Sequence, residues 1–182
     1  VMRIKAQWTI DASGSVHLSL KAKRNTAMPH LPRFGLRFFM PRNFEHCEYF
    51  GYGPYESYCD KHRASILAVH RTTVSEQHEP YIRPQENSSH WGCRSVTVTG
   101  QNTRLDVSAL QSFSFNASHY TQEELGGKAH EHELKDSGYT VFCLDVQMGG
   151  IGSNSCGPEL NEKYRVNAAQ FNFDCMLVPS KI

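Results

Sequence analysis

The chain has 182 residues, a hydrophobic fraction of 39% and a formal charge of +1 at pH 7, which makes it one domain or a large piece of one. Charged residues make up 20% and balance near neutrality, with no run of Lys and Arg along the sequence, which argues against a nucleic-acid partner. No apolar run approaches the ~18 residues needed to span a membrane. The opening VMRIKAQWTI is neither a signal peptide nor a translation start and already reads as a strand, as in a piece cut from a longer chain.

Met2, Ile4, Ala6, Trp8 and Ile10 alternate with Arg3, Lys5, Gln7 and Thr9, the period of a half-buried strand. Asp11-Ala-Ser-Gly14 turns the chain, and Val16, Leu18, Leu20 and Ala22 repeat the pattern, which predicts a hairpin. Beyond Pro29 and Pro32, Phe34, Leu36, Phe38 and Met40 mark a third strand. Cys47–Phe50 leads from a fourth into the turn-rich stretch FGYGPYESYCD, Phe50–Asp60. Ser65–Thr72 is a further strand, whereas Pro80 and Pro84 keep Glu79–Asn87 out of a sheet interior. Trp91–Thr99, Arg104–Leu110 and Phe113–Asn116 read as three short β-runs. Thr121-Gln-Glu-Glu124 is a capping box that opens a helix which Gly126-Gly127 soon ends. Thr140–Met148 leads into the second glycine-bearing stretch, GGIGSNSCGPE at Gly149–Glu159, before β-runs at Lys163–Val166 and Phe171–Val178. About ten short strands without a βαβ rhythm predict an all-β, antiparallel, two-sheet sandwich.

Turn-rich segments between alternating strands are where such scaffolds carry binding groups. In the first stretch Tyr52, Tyr55 and Tyr58 could stack on sugar C–H faces, and Glu56 and Asp60 are the nearest pair of carboxylates. Glycoside hydrolysis needs two carboxyl groups roughly 5–10 Å apart. The simpler reading has Glu56 bonded to loop amides and Asp60 paired with Lys61 or Arg63. A dinucleotide fingerprint is excluded because Pro54 stands where free amides are needed and no helix follows. His130-Glu-His132-Glu133 lacks a further ligand at metal spacing and reads as a solvated strand edge. Cys47, Cys59, Cys93, Cys143, Cys156 and Cys175 contain no CxxC pair and read as reduced, mostly buried thiols. Cys156 has no neighbouring His to activate it. Asn87-Ser-Ser and Asn116-Ala-Ser match a glycosylation sequon by accident.

Taken in order, LPRFGLRF (31–38), FGYGPYESYCDK (50–61), YIRPQENSSHWGCR (81–94), FSFNASHYTQEEL (113–125), HEHEL (130–134) and GGIGSNSCGPEL (149–160) resemble the C-terminal domain, or small chain, of the β-galactosidases of glycoside hydrolase family two. The resemblance implies a β-supersandwich related to galactose-mutarotase folds. Residues 1–182 would form a single domain, the C-terminal two-thirds of that family domain, truncated on its N-terminal side. It further implies a cytoplasmic, retaining parent enzyme that hydrolyses terminal β-D-galactosides such as lactose, with both catalytic glutamates on a separate barrel and no catalytic residue in this chain. Mg2+ and Na+ are the ions it implies for the parent, with no cofactor here. The implied partners are the rest of the β-galactosidase chain or a large subunit, carbohydrate, and further copies in a homo-oligomer. Asn154, Ser155 and Cys156 fall where the family domain lends a loop to the rim of the leaving-sugar pocket, and Cys156 stands near the position at which part of the family has a stacking Trp. The alternatives are a carbohydrate-binding module, which needs an exposed patch of Tyr52, Tyr55 and Tyr58, and a mutarotase-like epimerase, which needs a Glu and a His facing one pocket. A truncated sandwich should also expose strand edges and self-associate.

Overall fold

Period-two alternation becomes nine antiparallel strands in the computed structural model, which describes residues 2–152 and 159–182. They are β1 (Met2–Ile10), β2 (Val16–Arg24), β3 (Arg33–Pro41), β4 (His46–Gly53), β5 (Ile66–Thr73), β6 (Ser89–Thr99), β7 (Thr103–Ser118), β8 (Tyr139–Met148) and β9 (Gln170–Lys181). The β1–β2 turn closes because the Asp11 carboxylate accepts from the Ser13 and Ser15 amides at 2.8 and 3.1 Å, while Gly14 adopts φ +84°. That left-handed conformation suits glycine, which carries no Cβ to clash.

One layer runs β1-β2-β9-β7-β6-β4-β5, and a second consists of β3, β8 and the end of β7. The two predicted runs at Arg104–Leu110 and Phe113–Asn116 are a single strand of 16 residues. Its first half pairs with β9 and its second with β8, so the layers of the sandwich share a hydrogen-bonded seam. The bend lies where the β6 register slips between His90 and Ser95, around Gly92 at φ +69°. Such irregularities let a strand change direction without losing the ladder. Aromatic rings fill the space between the layers. Phe34 meets Phe171 at 4.8 Å, Phe115 meets Phe142 at 6.1 Å, and Tyr49 meets Phe115 at 5.2 Å.

Several expectations change. Lys163–Val166 is not a strand but a 3-10 turn at Glu162–Tyr164 followed by one bridge from Val166 to Leu31. His130–Glu133 is not a strand edge. His130 caps a 3-10 turn over Glu131–Glu133, and the Glu133 carboxylate accepts from the Ala129 and His130 amides. The capping box of the helix α1 (Gln122–Gly127) is half formed. Thr121 Oγ1 accepts from the Glu124 amide at 3.0 Å, whereas the Glu124 carboxylate takes the Lys135 amide at 2.9 Å. β1 is not half-buried, for Ile4, Trp8 and Ile10 are all exposed, Trp8 at 48%. The absence of a basic cluster, true along the sequence, fails in space. The hairpin register sets Arg3 opposite Lys23 and Lys5 opposite Lys21.

Four of the five described cysteines are buried, Cys59 is half-buried, and all five are free thiols. Both sequon asparagines, Asn87 and Asn116, are buried. Among the described residues no helix is long and apolar enough to cross a membrane.

Candidate functional site

The two glycine-bearing stretches meet at one carboxylate. Asp60 accepts from the Ile151 amide at 3.2 Å and from the Gly152 amide at 2.8 Å, tying the end of the first stretch to the start of the second. Gly150 makes this approach possible, because a Cβ there would overlap the Asp60 carboxyl group. The neighbouring chain is held as well. The Gly149 amide donates to Pro32 O at 2.9 Å, and Cys59 Sγ lies 3.6 Å from Met148 O. On the far side of residues 153–158, Arg165 donates to Leu160 O at 2.8 Å and to the Glu159 carboxylate at 2.9 Å.

Glu56 plays a different part. It is 7% exposed and accepts from Lys61 Nζ at 2.8 Å, from Tyr58 Oη at 2.9 Å and from the Tyr81 hydroxyl. Burial, reinforced by this carboxylate, raises the pKa values of Tyr58 and Tyr81, so both hydroxyls stay protonated as donors. Burial works against the Lys61 charge, but Glu56 more than compensates and holds its pKa above the ordinary value. The expected roles are therefore exchanged. Lys61 pairs with Glu56, and it is Asp60 that binds loop amides. The reason is local geometry, since Tyr58 and Lys61 bridge each other and turn the chain between them, leaving Asp60 to point at the second stretch.

Three donors sit on Glu56, two on Oε1 and one on Oε2, and two backbone amides sit on Asp60. Both carboxylates are thus engaged in contacts within the chain. A cavity of about 490 Å3 lined by Tyr55, Glu56, Asp60, Lys61, His62 and Tyr81 opens beside them. His62 shares that cavity, with Nδ1 3.0 Å from Tyr58 O.

The tyrosine patch separates in space. Tyr58 is 2% exposed, and Tyr52 is half-buried against His62 and Trp91 at 5.4 and 5.1 Å, so Tyr55 alone of the three stands out, at 62%. The expected platform for a carbohydrate-binding module is not present. Asn154, Ser155 and Cys156 lie outside the described residues. Among those that are described, no group of three or more His, Cys, Asp or Glu is placed to hold a metal ion.

Ser57 and Arg165 were not anticipated. Ser57 Oγ donates to Tyr52 O and accepts from the Trp91 amide, both at 2.9 Å, pinning the first stretch to β6. No motif marks either residue. The Trp91 partner of Ser57 and the Glu159 and Leu160 partners of Arg165 lie on other segments, and only a serine inside a tyrosine-rich turn hinted at the first.

The family model for the β-galactosidase small chain matches residues 1–177. The chain belongs to the β-galactosidase small-chain family. It is 44% identical over 181 residues to a β-galactosidase of Actinobacillus pleuropneumoniae, covering 100% of this chain and 18% of that relative. It is 39% identical to one of Staphylococcus xylosus, over 91% of this chain and 17% of the relative, and 30% identical to one of Streptococcus thermophilus, over 98% and 18%. This small-chain domain thus spans under a fifth of the length of these β-galactosidases.

Proposed function

We propose that this small-chain domain is the non-catalytic C-terminal part of a retaining β-galactosidase that hydrolyses terminal β-D-galactosides such as lactose. It supplies scaffold, an interface and a loop at the pocket rim, with Asn154, Ser155 and Cys156 as the rim residues and the catalytic glutamates and Mg2+ elsewhere in the enzyme. The observation that carries this reading is the grip of Asp60 on the Ile151 and Gly152 amides. A carboxylate that would be a candidate for chemistry instead braces the stretch leading to residues 153–158. Glu56 is likewise engaged by Lys61, Tyr58 and Tyr81, so the carboxylate that shares a cavity with His62 is already held in an ion pair, which disfavours the epimerase reading.

In the complete β-galactosidase, Asp60→Ala is expected to lower kcat/KM for a chromogenic galactoside on the order of 10- to 100-fold, since small misplacements near a reacting centre cost that much. The loss should fall mainly on KM. Asp60→Asn, which keeps one acceptor oxygen, should recover part of it, and Gly150→Ala should reproduce it. Unchanged kinetics in folded variants would refute the rim reading. The purified 182-residue chain should not hydrolyse the same substrate, and measurable turnover would refute its non-catalytic role.

A further inference from the structure

A second cavity, also of about 490 Å3, opens between the sheet and the segment that returns to β9. Its apolar wall is Trp91 of β6, Phe113 of β7, and Val146 and Met148 of β8. Its polar groups include Gln147 of β8 and, across from the sheet, Lys163 and Arg165. The volume falls within the roughly 300–1,000 Å3 of small-molecule sites.

The walls are held by contacts within the chain. The Trp91 ring stacks on His62 at 4.4 Å and lies 5.1 Å from Tyr52, while Ser57 Oγ takes the Trp91 amide at 2.9 Å. Gly92 lets Tyr52 come this close, because a Cβ there would fall 2.9 Å from the tyrosine ring. Phe113 is buried and meets Phe173 edge-on at 6.3 Å. Cys59 joins the two sides of the cavity, with Sγ 3.6 Å from Met148 O and 3.9 Å from Tyr164 O. A wall fixed in advance spares a ligand the cost of ordering it.

Charge narrows the ligand class. Among the described lining residues there is no carboxylate, and residues 153–158 contain none. Arg165 is already paired with the Glu159 carboxylate at 2.9 Å and with Leu160 O at 2.8 Å. Lys163 makes no ion pair among the described residues, and its Nζ stands 4.6 Å from the centre of the Tyr164 ring. One lysine charge therefore remains for a ligand, beside an indole and two aliphatic side chains. A phosphate dianion exceeds that charge and leaves the apolar wall wet. A neutral ring covers the wall and leaves the ammonium without a partner.

We infer that this cavity binds a small ring-bearing monocarboxylate, with its ring against Trp91, Val146 and Met148 and its carboxylate on Lys163. Gln147 is the further donor for that carboxylate. The site is separate from the carboxylates Glu56 and Asp60, neither of which lines it.

The probe is 2-naphthoate, titrated calorimetrically into the complete β-galactosidase. It should bind with a Kd on the order of 1 mM, as expected for about a dozen heavy atoms, and more tightly than the neutral 2-naphthalenemethanol. No binding, or equal binding of acid and alcohol, would overturn the proposal. Lys163→Gln should weaken 2-naphthoate by up to about fivefold, the worth of a solvent-exposed pair, and leave the alcohol unchanged. Ser112→Trp, at an exposed position on the wall, should block both ligands. Either variant behaving as wild type would place the probe elsewhere. Competitive inhibition of a chromogenic galactoside would put it in the catalytic pocket and sink the inference. Binding by the 182-residue chain but not by the complete enzyme would show that another part of the enzyme fills the cavity, which would also overturn it.

Discussion

Arg33→Ala is expected to destabilise the domain by about 3–5 kcal/mol, the usual cost of removing one partner from a buried ion pair. Arg33 donates from Nε and Nη2 to the two oxygens of Asp145 at 3.1 and 2.5 Å, from Nη1 to Glu86 at 3.3 Å, and from Nη2 to Asn116 at 3.4 Å. Asp145 is 2% exposed. Burial, the larger effect, holds its pKa above the ordinary carboxylate value even beside the guanidinium. Burial likewise opposes the Arg33 charge, but Asp145 and Glu86 keep its pKa above the usual arginine value. Without Arg33, Asp145 must either stay ionised without a partner or take up a proton, and both weaken the seam where β3, β8 and β7 meet. Urea denaturation would show the loss as a lower midpoint at unchanged slope. Arg33→Met combined with Asp145→Leu should recover part of it, because the penalty comes from the groups left unpaired rather than from the pair itself, and Glu86 still loses its partner. A single-variant loss below about 1 kcal/mol, the size of a typical surface pair, would show that the network does not hold β3, β8 and the end of β7 together.

Stability is expected to decline as pH falls below about 6.5, the ordinary histidine pKa, and His90 is the cause. His90 is buried, packed 4.3 Å from the Tyr49 ring and 5.2 Å from Phe115, with Nε2 3.1 Å from Gln77 Oε1. Burial lowers its pKa to about 3 from 6.5. Between those values the unfolded chain binds a proton that the folded chain refuses. The stabilisation is complete above 6.5 and is lost progressively on the way to 3, at no more than about 1.4 kcal/mol per pH unit. Glu86 and Asp145, whose pKa values burial raises, bind protons more readily when folded and so act in the opposite sense. The difference between wild type and His90→Phe isolates the histidine. The variant should show a flatter pH dependence between 6.5 and 5 in thermal or urea melts, whatever its absolute stability. Parallel curves would mean that His90 does not hold its neutral form against the solvent.

The strand positions were readable because a strand's side-chain period is a local property. Met2–Ile10 and Phe34–Met40 became strands to within a residue of the expected limits, and Phe171–Val178 became a strand that runs on to Lys181. Errors arose where local pattern and spatial setting part company. Gln111 and Ser112 look like a break between two runs, but β6 lies alongside on both sides of them and keeps the chain extended. Lys163–Val166 alternates like a strand yet finds one bridge and no ladder, so it folds into a 3-10 turn. In the candidate site the sequence singled out Glu56 and Asp60 but gave them the wrong partners. Glu56, Asp60 and Lys61 are within five positions of one another, and which carboxylate takes the lysine depends on a turn at Tyr58–Lys61 that composition does not specify.

By itself the sequence determined an all-β antiparallel body and its two glycine-bearing stretches, and its ordered motifs pointed to the β-galactosidase small chain. Alternation, turn residues and motif order are all written along one dimension. Only the tertiary structure decided that Asp60 braces the second stretch, that β7 joins both layers, and that Arg3, Lys5, Lys21 and Lys23 gather on one face. Each of these depends on register between segments distant along the chain, and register is set by how the whole core packs.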